Sequence, residues 1–324
     1  MGTHASTVLC FALATLVASA TVKAQGWPAK PVRVVVAQAA GSATDIVTRV
    51  MGNGLSEALG QPFVVDIRAG AGGLVGTEVA AKAVPDGYTM LMANISTHGV
   101  NPALHAKLSF DPVRDFAPIS MVSTTANVLV VHPSLPVHTV KDFIALAKAR
   151  PGQLAFATPG SGSSQHLATE LLRFMAGNTA MLHVPYKGSG GAMASVIAGE
   201  TVWMMPTVPL SLPHIRSKRV RPIAVSTSRP VDDLPGIPTI AETLPGYDVV
   251  TWYALMFPAG APQPLVSRAN AEIVKLLATA DMQRALAVHG MQAQSSTPEQ
   301  LGEFVKSEIA RWTKVARQAG IRAD

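Results

Sequence analysis

Apolar residues along this chain fall into two alternating patterns: short β-branched runs, and longer stretches in which they recur every three or four positions. Val32, Val34, Val35 and Val36 form a run of the first kind, suited to a strand buried on both faces. Ile46, Val47, Val50 and Met51 follow at helical spacing. The same succession recurs, predicting strands at 32–36, 63–67, 89–93, 128–132, 154–157, 202–205 and 223–226. Helices are predicted at 78–83, 140–149, 164–175 and 190–198, and two longer ones close the chain at 264–277 and 298–318. Thr139 and Thr297 are the expected N-caps, the second followed by Pro298 at the first helical position. Helices that cross between successive strands build parallel sheets covered on both faces, an α/β architecture.

Three of the predicted strand-to-helix turns are rich in glycine and hydroxyl residues. The first, AGSATD at 40–45, holds Gly41, Ser42, Ala43, Thr44 and Asp45; the second, AGAGG at 69–73, holds Gly72 and Gly73. The third, PGSGSS at 159–164, holds Gly160, Ser161, Gly162, Ser163 and Ser164, with His166 one step into the helix. A helix start leaves amide N–H groups without partners and carries partial positive charge, so an anion placed there gains hydrogen bonds without Lys or Arg. Ser42, Thr44 and Asp45 suit either caps or ligand contacts. In open α/β sheets ligands sit at the carboxyl ends of strands, where these turns fall. Each turn can equally be an ordinary capped connection.

Composition narrows the class. At 324 residues, with 48% apolar and 14% charged, the chain is long enough for two cores, and its 24 prolines and 26 glycines are spread as punctuation. Residues 1–24 read as a secretory signal peptide: an apolar stretch at 8–18 precedes small residues, with cleavage after Ala20 or Ala24. The stretch is shorter than the ~20 apolar residues that span a bilayer. Cys10 lies inside it, preceded by Thr7, Val8 and Leu9 rather than the small residues expected before a lipid-modified cysteine. Removal of the leader leaves no cysteine, which excludes disulfides and cysteine-based metal sites, and lowers the net charge from +6 to +5. The densest basic run, Arg216, Lys218, Arg219 and Arg221, lacks interleaved aromatics and reads as a solvated helix end, so nucleic acid is not the expected partner. No cofactor is expected either: no Walker loop appears, and Val75 stands where a dinucleotide fingerprint needs glycine.

Catalysis finds little support. Ser161, Ser163, Ser164 and His166 are close in sequence, but no serine has the flanking glycines of a nucleophile elbow, and the eight histidines from His98 to His289 include no HExxH. Asn94, Ser96 and Thr97 follow the third strand at the same edge as the first turn and are candidate ligand contacts. His98 is read as a loop residue. Tyr186 and Lys187 precede a second-half helix, where Lys187 can supply charge or simply occupy a turn. Trp252 and Tyr253 are read as apolar packing.

Over nearly its full length after the leader the chain resembles the tripartite tricarboxylate transporter receptors, also called Bug-type periplasmic solute-binding proteins. The resemblance rests on WPAKPVRVVVA, AGSATDIVTRV, LGQPFVVDIRAGAGGLVGTEVAAKAVPDGYTM, ARPGQLAFATPGSGSSQHLATELL, HVPYKGSGGAM and WYALMFPAGAP; PDGYT followed later by VPYKG is specific in that order. It implies a two-lobed, periplasmic-binding-protein-like (type II) α/β fold, each lobe a mainly parallel sheet flanked by helices, with the ligand cleft between lobes. The implied lobes are 26–125 plus 247–324, and 126–246. The implied function is capture of a small organic anion, a carboxylate, by a monomeric periplasmic receptor that hands it to the membrane components of a tripartite tricarboxylate transporter. A secreted sensor presenting its closed form to a membrane kinase is the alternative, and a serine hydrolase a minor one. The family's first turn generally reads P-G-G-x-T-D, where Ala40 and Ser42 replace proline and glycine; its second reads N-R-P-G-A-G-G, from which Ile67 and Ala69 depart. Pro206 stands where family members often carry an aspartate, which disfavours an ammonium-bearing ligand.

Overall fold

Val32–Val36 forms strand β1, paired in parallel with β2 (Phe63–Ile67) on one side and β3 (Thr89–Asn94) on the other. The pairing is parallel because helices carry the chain back between strands: Ala43–Leu59 after β1 and Leu74–Ala81 after β2. The first helix begins on Ser42, whose hydroxyl accepts from the Asp45 amide, and stops at Gly60 in a left-handed conformation. Val47, Met51 and Leu55, spaced by four, bury its inner face. This computed structural model of the chain describes residues 26–105 and 107–320; the predicted leader at 1–24 lies outside them.

Strand β4 (Phe116–Ala126) belongs to the same sheet, and after the single residue Asn127 the chain enters a second sheet as β5 (Val128–Val131). That sheet also holds β6 (Ala155–Thr158), β7 (Leu182–Pro185), β8 (Trp203–Met204) and β9 (Arg221–Val225), in the order β7-β6-β8-β5-β9. The chain then returns as β10 (Val250–Pro258) and finishes with β11 (Gln292–Ala293), giving the first sheet the order β11-β4-β10-β3-β1-β2. Pairing is parallel where helices connect strands, as in β1/β2, β1/β3, β6/β7 and β6/β8. The strands that carry the chain between sheets, β4, β5, β9 and β10, add antiparallel pairs. The result is an α/β protein of two sheets, each flanked by helices.

Seven predicted strands coincide with β1, β2, β3, β5, β6, β8 and β9, and Thr139 and Thr297 both close capping boxes, with Asp142 and Gln300. The sequence carries no comparable signal for β4 or β10. β4 contains Pro118, Ser120, Ser123 and Thr125, and Ser120 is buried with its hydroxyl donating to the Ser296 carbonyl near the tail of the chain at 3.0 Å. β10 is buried on both faces along almost its whole length, so it has no polar alternation to betray its period.

Two buried polar knots hold the crossings. Ser226 donates its hydroxyl to the Val249 carbonyl at 2.6 Å and accepts from the Asn127 amide at 2.9 Å, tying the outgoing and returning segments together. Glu308, 5% exposed on the C-terminal helix Pro298–Ala319, accepts from the indole N–H of Trp252 at 2.8 Å and of Trp312 at 3.0 Å, both on Oε2. This one carboxylate fixes the helix to β10. Glu308→Ala is expected to lower the unfolding free energy by about 2–4 kcal/mol in urea titrations, because two buried indoles lose their acceptor. Glu308→Gln, which keeps an acceptor oxygen, is expected to cost less.

Candidate functional site

The three glycine and hydroxyl turns face one another across a cavity of about 590 Å³ between the two sheets. Ser42, Ala43 and Thr44 line it from the first turn, Gly72 and Gly73 from the second, and Gly160, Ser161, Ser163 and Ser164 from the third. Asn94 and Ser96 contribute from the end of β3, and Tyr186 and Lys187 from the segment after β7. Gly188 and Ser189, beside Tyr186 and Lys187 ahead of the same helix, also line it; sequence reasoning missed Gln38, His105, Thr207 and Thr251 and read Tyr253 only as packing, and these complete much of the wall. Gln38 lies two residues beyond β1, and Thr207 directly follows Pro206; Tyr253, buried within an apolar strand, offered no sequence signal at all.

Six predicted residues stand behind the wall. Gly41 and Asp45 form a local cap, the Gly41 amide donating to Asp45 Oδ2 at 2.9 Å while Arg49 pairs with Oδ1 at 2.8 Å. Thr97 is fully buried and its hydroxyl is bonded to the Asn94 backbone and to His98 Nδ1. Gly162 donates to His166 Nδ1 at 3.4 Å, and the His166 ring stacks on His183 with centroids 4.3 Å apart. Pro206 contributes its carbonyl to the Val128 amide at 2.8 Å. His98 is a core residue, packed edge-on against Phe116 at 4.7 Å. Of the serines considered as nucleophiles, Ser163 Oγ accepts the His166 amide and Ser164 Oγ donates to Gln165 Oε1, which are cap and local side-chain bonds.

Among the described residues, five helices begin at this cavity. Their starts are at Ala43, Leu74, Ser164, Ser189 and Val208, and each places its first residue or its N-cap in the lining. The early amides of a helix have no acceptor within it, and the aligned dipoles place positive potential there. Four hydroxyls strengthen that polarity. Ser42 Oγ accepts from the Asp45 amide at 3.3 Å, Ser163 Oγ from the His166 amide at 3.2 Å, Ser96 Oγ from the Ser164 amide at 2.9 Å, and Thr44 Oγ1 from Asn94 Nδ2 at 2.9 Å. A hydroxyl already accepting still has its proton to donate, so all four are set as donors. The Asn94 amide orientation follows from its network, since Oδ1 accepts the Thr97 amide at 3.1 Å. Among the described residues the lining contains no Asp or Glu and one Lys, Lys187. Such a wall stabilises an anion and offers an ammonium no charged acceptor.

The two sides approach closely. The Ser164 amide of the second sheet's helix bonds to Ser96 at the end of β3, directly across the cleft. Gly72 lies so near the third turn that a Cβ there would stand 3.0 Å from the Ser161 carbonyl oxygen, and one at Gly188 would stand 2.9 Å from the Ala39 Cβ. Side chains at these two glycines would hold the halves apart.

Two α/β halves joined by paired crossings, with a donor-lined cavity at their junction, define a two-lobed solute-binding protein. The chain belongs to the tripartite tricarboxylate transporter family receptors, whose family model matches residues 47–321. It is 36% identical over 312 residues to Protein BugT of Bordetella pertussis, covering 96% of this chain and 95% of BugT. Among solved structures it is similar to R. palustris Rpa4515 with adipate, at 34% identity and a TM-score of 0.88, covering 91% of this chain and 99% of that one. MatC (Rpa3494) from Rhodopseudomonas palustris with bound malate is similar at 29% identity and a TM-score of 0.83, covering 89% and 99%.

Two outcomes follow from this geometry. Replacing Ser42 by Ala and Thr44 by Val together is expected to weaken anion binding by one to two orders of magnitude in calorimetry, at roughly 1 kcal/mol per hydrogen bond lost; unchanged affinity refutes their role. Burial holds the His98 imidazole down to about 3 from an ordinary 6.5. The unfolded chain therefore binds a proton below pH 6.5 that the folded one refuses, and stability falls as pH drops from 6.5 towards 3. Its share of the slope is up to about 1.4 kcal/mol per pH unit, and acid titration of thermal unfolding should be shallower in His98→Gln.

Proposed function

We propose that this protein is a periplasmic receptor that captures a small carboxylate and delivers it to the membrane components of a tripartite tricarboxylate transporter. The observation that carries this reading is the set of five helix starts and four donor-set hydroxyls around a cavity with no acidic side chain in its described lining. A carboxylate supplies two oxygens and about four lone-pair sites, which unpaired amides and hydroxyls can satisfy without a dedicated cation. Malate in MatC and adipate in Rpa4515 are consistent with this chemistry in relatives of the same fold.

Capture proceeds by closure. A carboxylate bound to the turns of one lobe presents its remaining oxygens to the other, so its binding energy favours the state in which Ser96 reaches the Ser164 amide. The closed surface then distinguishes loaded from empty receptor for the transporter. The sequence prediction of a leader at 1–24 fits this location, and no helix among the described residues is long and apolar enough to cross a membrane.

Native mass spectrometry of freshly purified protein, followed by thermal-shift and calorimetric titration with mono-, di- and tricarboxylates, tests the ligand class. At least one carboxylate is expected to bind and raise the unfolding temperature, while amino acids and sugars do not. Selective stabilisation by a non-anionic solute overturns the assignment. Pull-down of membrane proteins with loaded receptor is expected to recover transporter components, and recovery of a sensor kinase instead overturns the transport role.

A further inference from the structure

Among the described residues of the cavity wall there is one imidazole. His105, half-buried, lines the cavity directly after the short helix Asn101–Leu104, whose last turn it closes by donating its amide to the Asn101 carbonyl at 3.0 Å. Its ring reaches toward the other half of the molecule: a Cβ at Gly162, in the third turn, would stand 3.9 Å from His105 Nε2. The ring makes no hydrogen bond or ion pair with another described residue. Asn101 beside it is fully buried and fixed, its Nδ2 donating to the Gly72 carbonyl at 3.1 Å. Its Oδ1 is left without a partner, 3.1 Å from the same Gly162 Cβ position. An orphan carbonyl oxygen there favours a donor or a positive charge in the space before it.

Imidazole is the side chain whose charge ordinarily changes between pH 5 and 8, so the charges around His105 decide what its proton does. The second and third turns bring no titratable side chain to the lining, where the other titratable groups are Tyr186, Lys187 and Tyr253. Behind the third turn, on the helix Ser164–Met175, His166 stacks on His183 and faces Glu170, which Arg173 holds at 2.6 Å. On the C-terminal helix, which packs against Asn101–Leu104, Glu308 is taken by its two indoles and approached by Arg311. On the segment of His105 itself, His98 is kept neutral by burial and Lys107 is exposed. Each of these carboxylates is committed elsewhere. A positive charge on His105 is therefore answered by an anion in the cavity, and the anion by it.

We propose that His105 is a proton-dependent contact for the captured anion: with a carboxylate in the cavity its imidazole takes a proton from solvent, and it returns that proton when the anion leaves. Capture is then tighter in mildly acidic surroundings, and release is easier as pH rises. The sign follows from linkage, because a ligand that favours the protonated ring binds more tightly where the ring is already protonated. At high pH the amides and hydroxyls of the turns hold the anion without this charge. The inference rests on the reading of the cavity as a carboxylate site.

Calorimetric titration of the full chain with malate, succinate, adipate and benzoate, at pH values from about 6 to 8, tests it. For the probe that binds best, wild-type affinity is expected to rise roughly five- to tenfold from pH 8 to pH 6, with net proton uptake read from the heats in two buffers of different ionisation enthalpy. In His105→Gln the rise and the proton uptake are expected to disappear, whatever the affinity at about pH 8. Titration of the probe itself appears equally in both proteins and cancels in the comparison. His166→Gln, which removes the titratable ring behind the third turn, is expected to keep the rise. A rise that persists in His105→Gln overturns the proposal, as does a wild type whose affinity is flat with pH. Thermal unfolding checks that the variants fold. Independently of any variant, the NMR titration midpoint of the wild-type His105 ring is expected to move to higher pH on saturation with the probe, and a midpoint that stays put also overturns it. If no probe binds the wild type at any pH, the carboxylate reading falls, an outcome distinct from binding without pH dependence.

Discussion

A helix that begins inside a protein must find partners for its first amides, and this molecule begins five of them at one cavity. The first amides of a helix have no acceptor within it, and the aligned peptide dipoles of five starts concentrate positive potential at one place. The cavity is therefore a place where negative charge is favoured before any side chain is considered. The rest of the structure serves this arrangement. Parallel strands deliver their turns to one edge, and two crossings tied at Ser226 set the two edges face to face.

Side chains then refine the polarity the helices establish. Asn94 donates to Thr44 and to Gln38 while its carbonyl oxygen is held by the Thr97 amide, so a residue at the cavity wall acts chiefly by fixing the direction of a neighbouring hydroxyl. Ser96 plays the corresponding part across the cleft, accepting from the first residue of the helix Ser164–Met175. Asp45 illustrates the opposite case. An acidic side chain in this turn could add negative charge to the cavity, but its carboxylate is turned back onto the Gly41 amide and paired with Arg49, which keeps its charge out of the lining. The cavity is lined by amides and hydroxyls rather than by ion pairs, and the relatives Rpa4515 and MatC hold adipate and malate.

Much of the fold was legible because local signals agreed with the tertiary answer. The valine run of β1, the serine caps at Ser42 and Ser163, and the threonine capping boxes each encode their element within a few residues. The glycine turns were legible as candidates for a shared cavity wall for the same reason: backbone exposure at a helix start is a local property. The strands β4 and β10 were not, since Ser120 in β4 finds its partner in Ser296, 176 residues away, and β10 is buried on both faces. Tyr253 and Thr207 belong to the same category. A tyrosine in an apolar strand and a threonine after a proline carry no mark of a cavity, and they acquire one only when β10 and Asn127 bring them to its edge.

By itself the sequence determined the succession of strands and helices, the three donor-rich turns and, through the motifs around PDGYT and VPYKG, the family. These are properties of neighbouring residues and of short-range backbone preference. The tertiary structure alone decided which donors point into the cavity, which residues are spent behind its wall, and where the His105 imidazole stands. Those outcomes depend on contacts between segments up to more than a hundred residues apart, such as Thr251 with Asn127 and Trp252 with Glu308, and no local pattern records them.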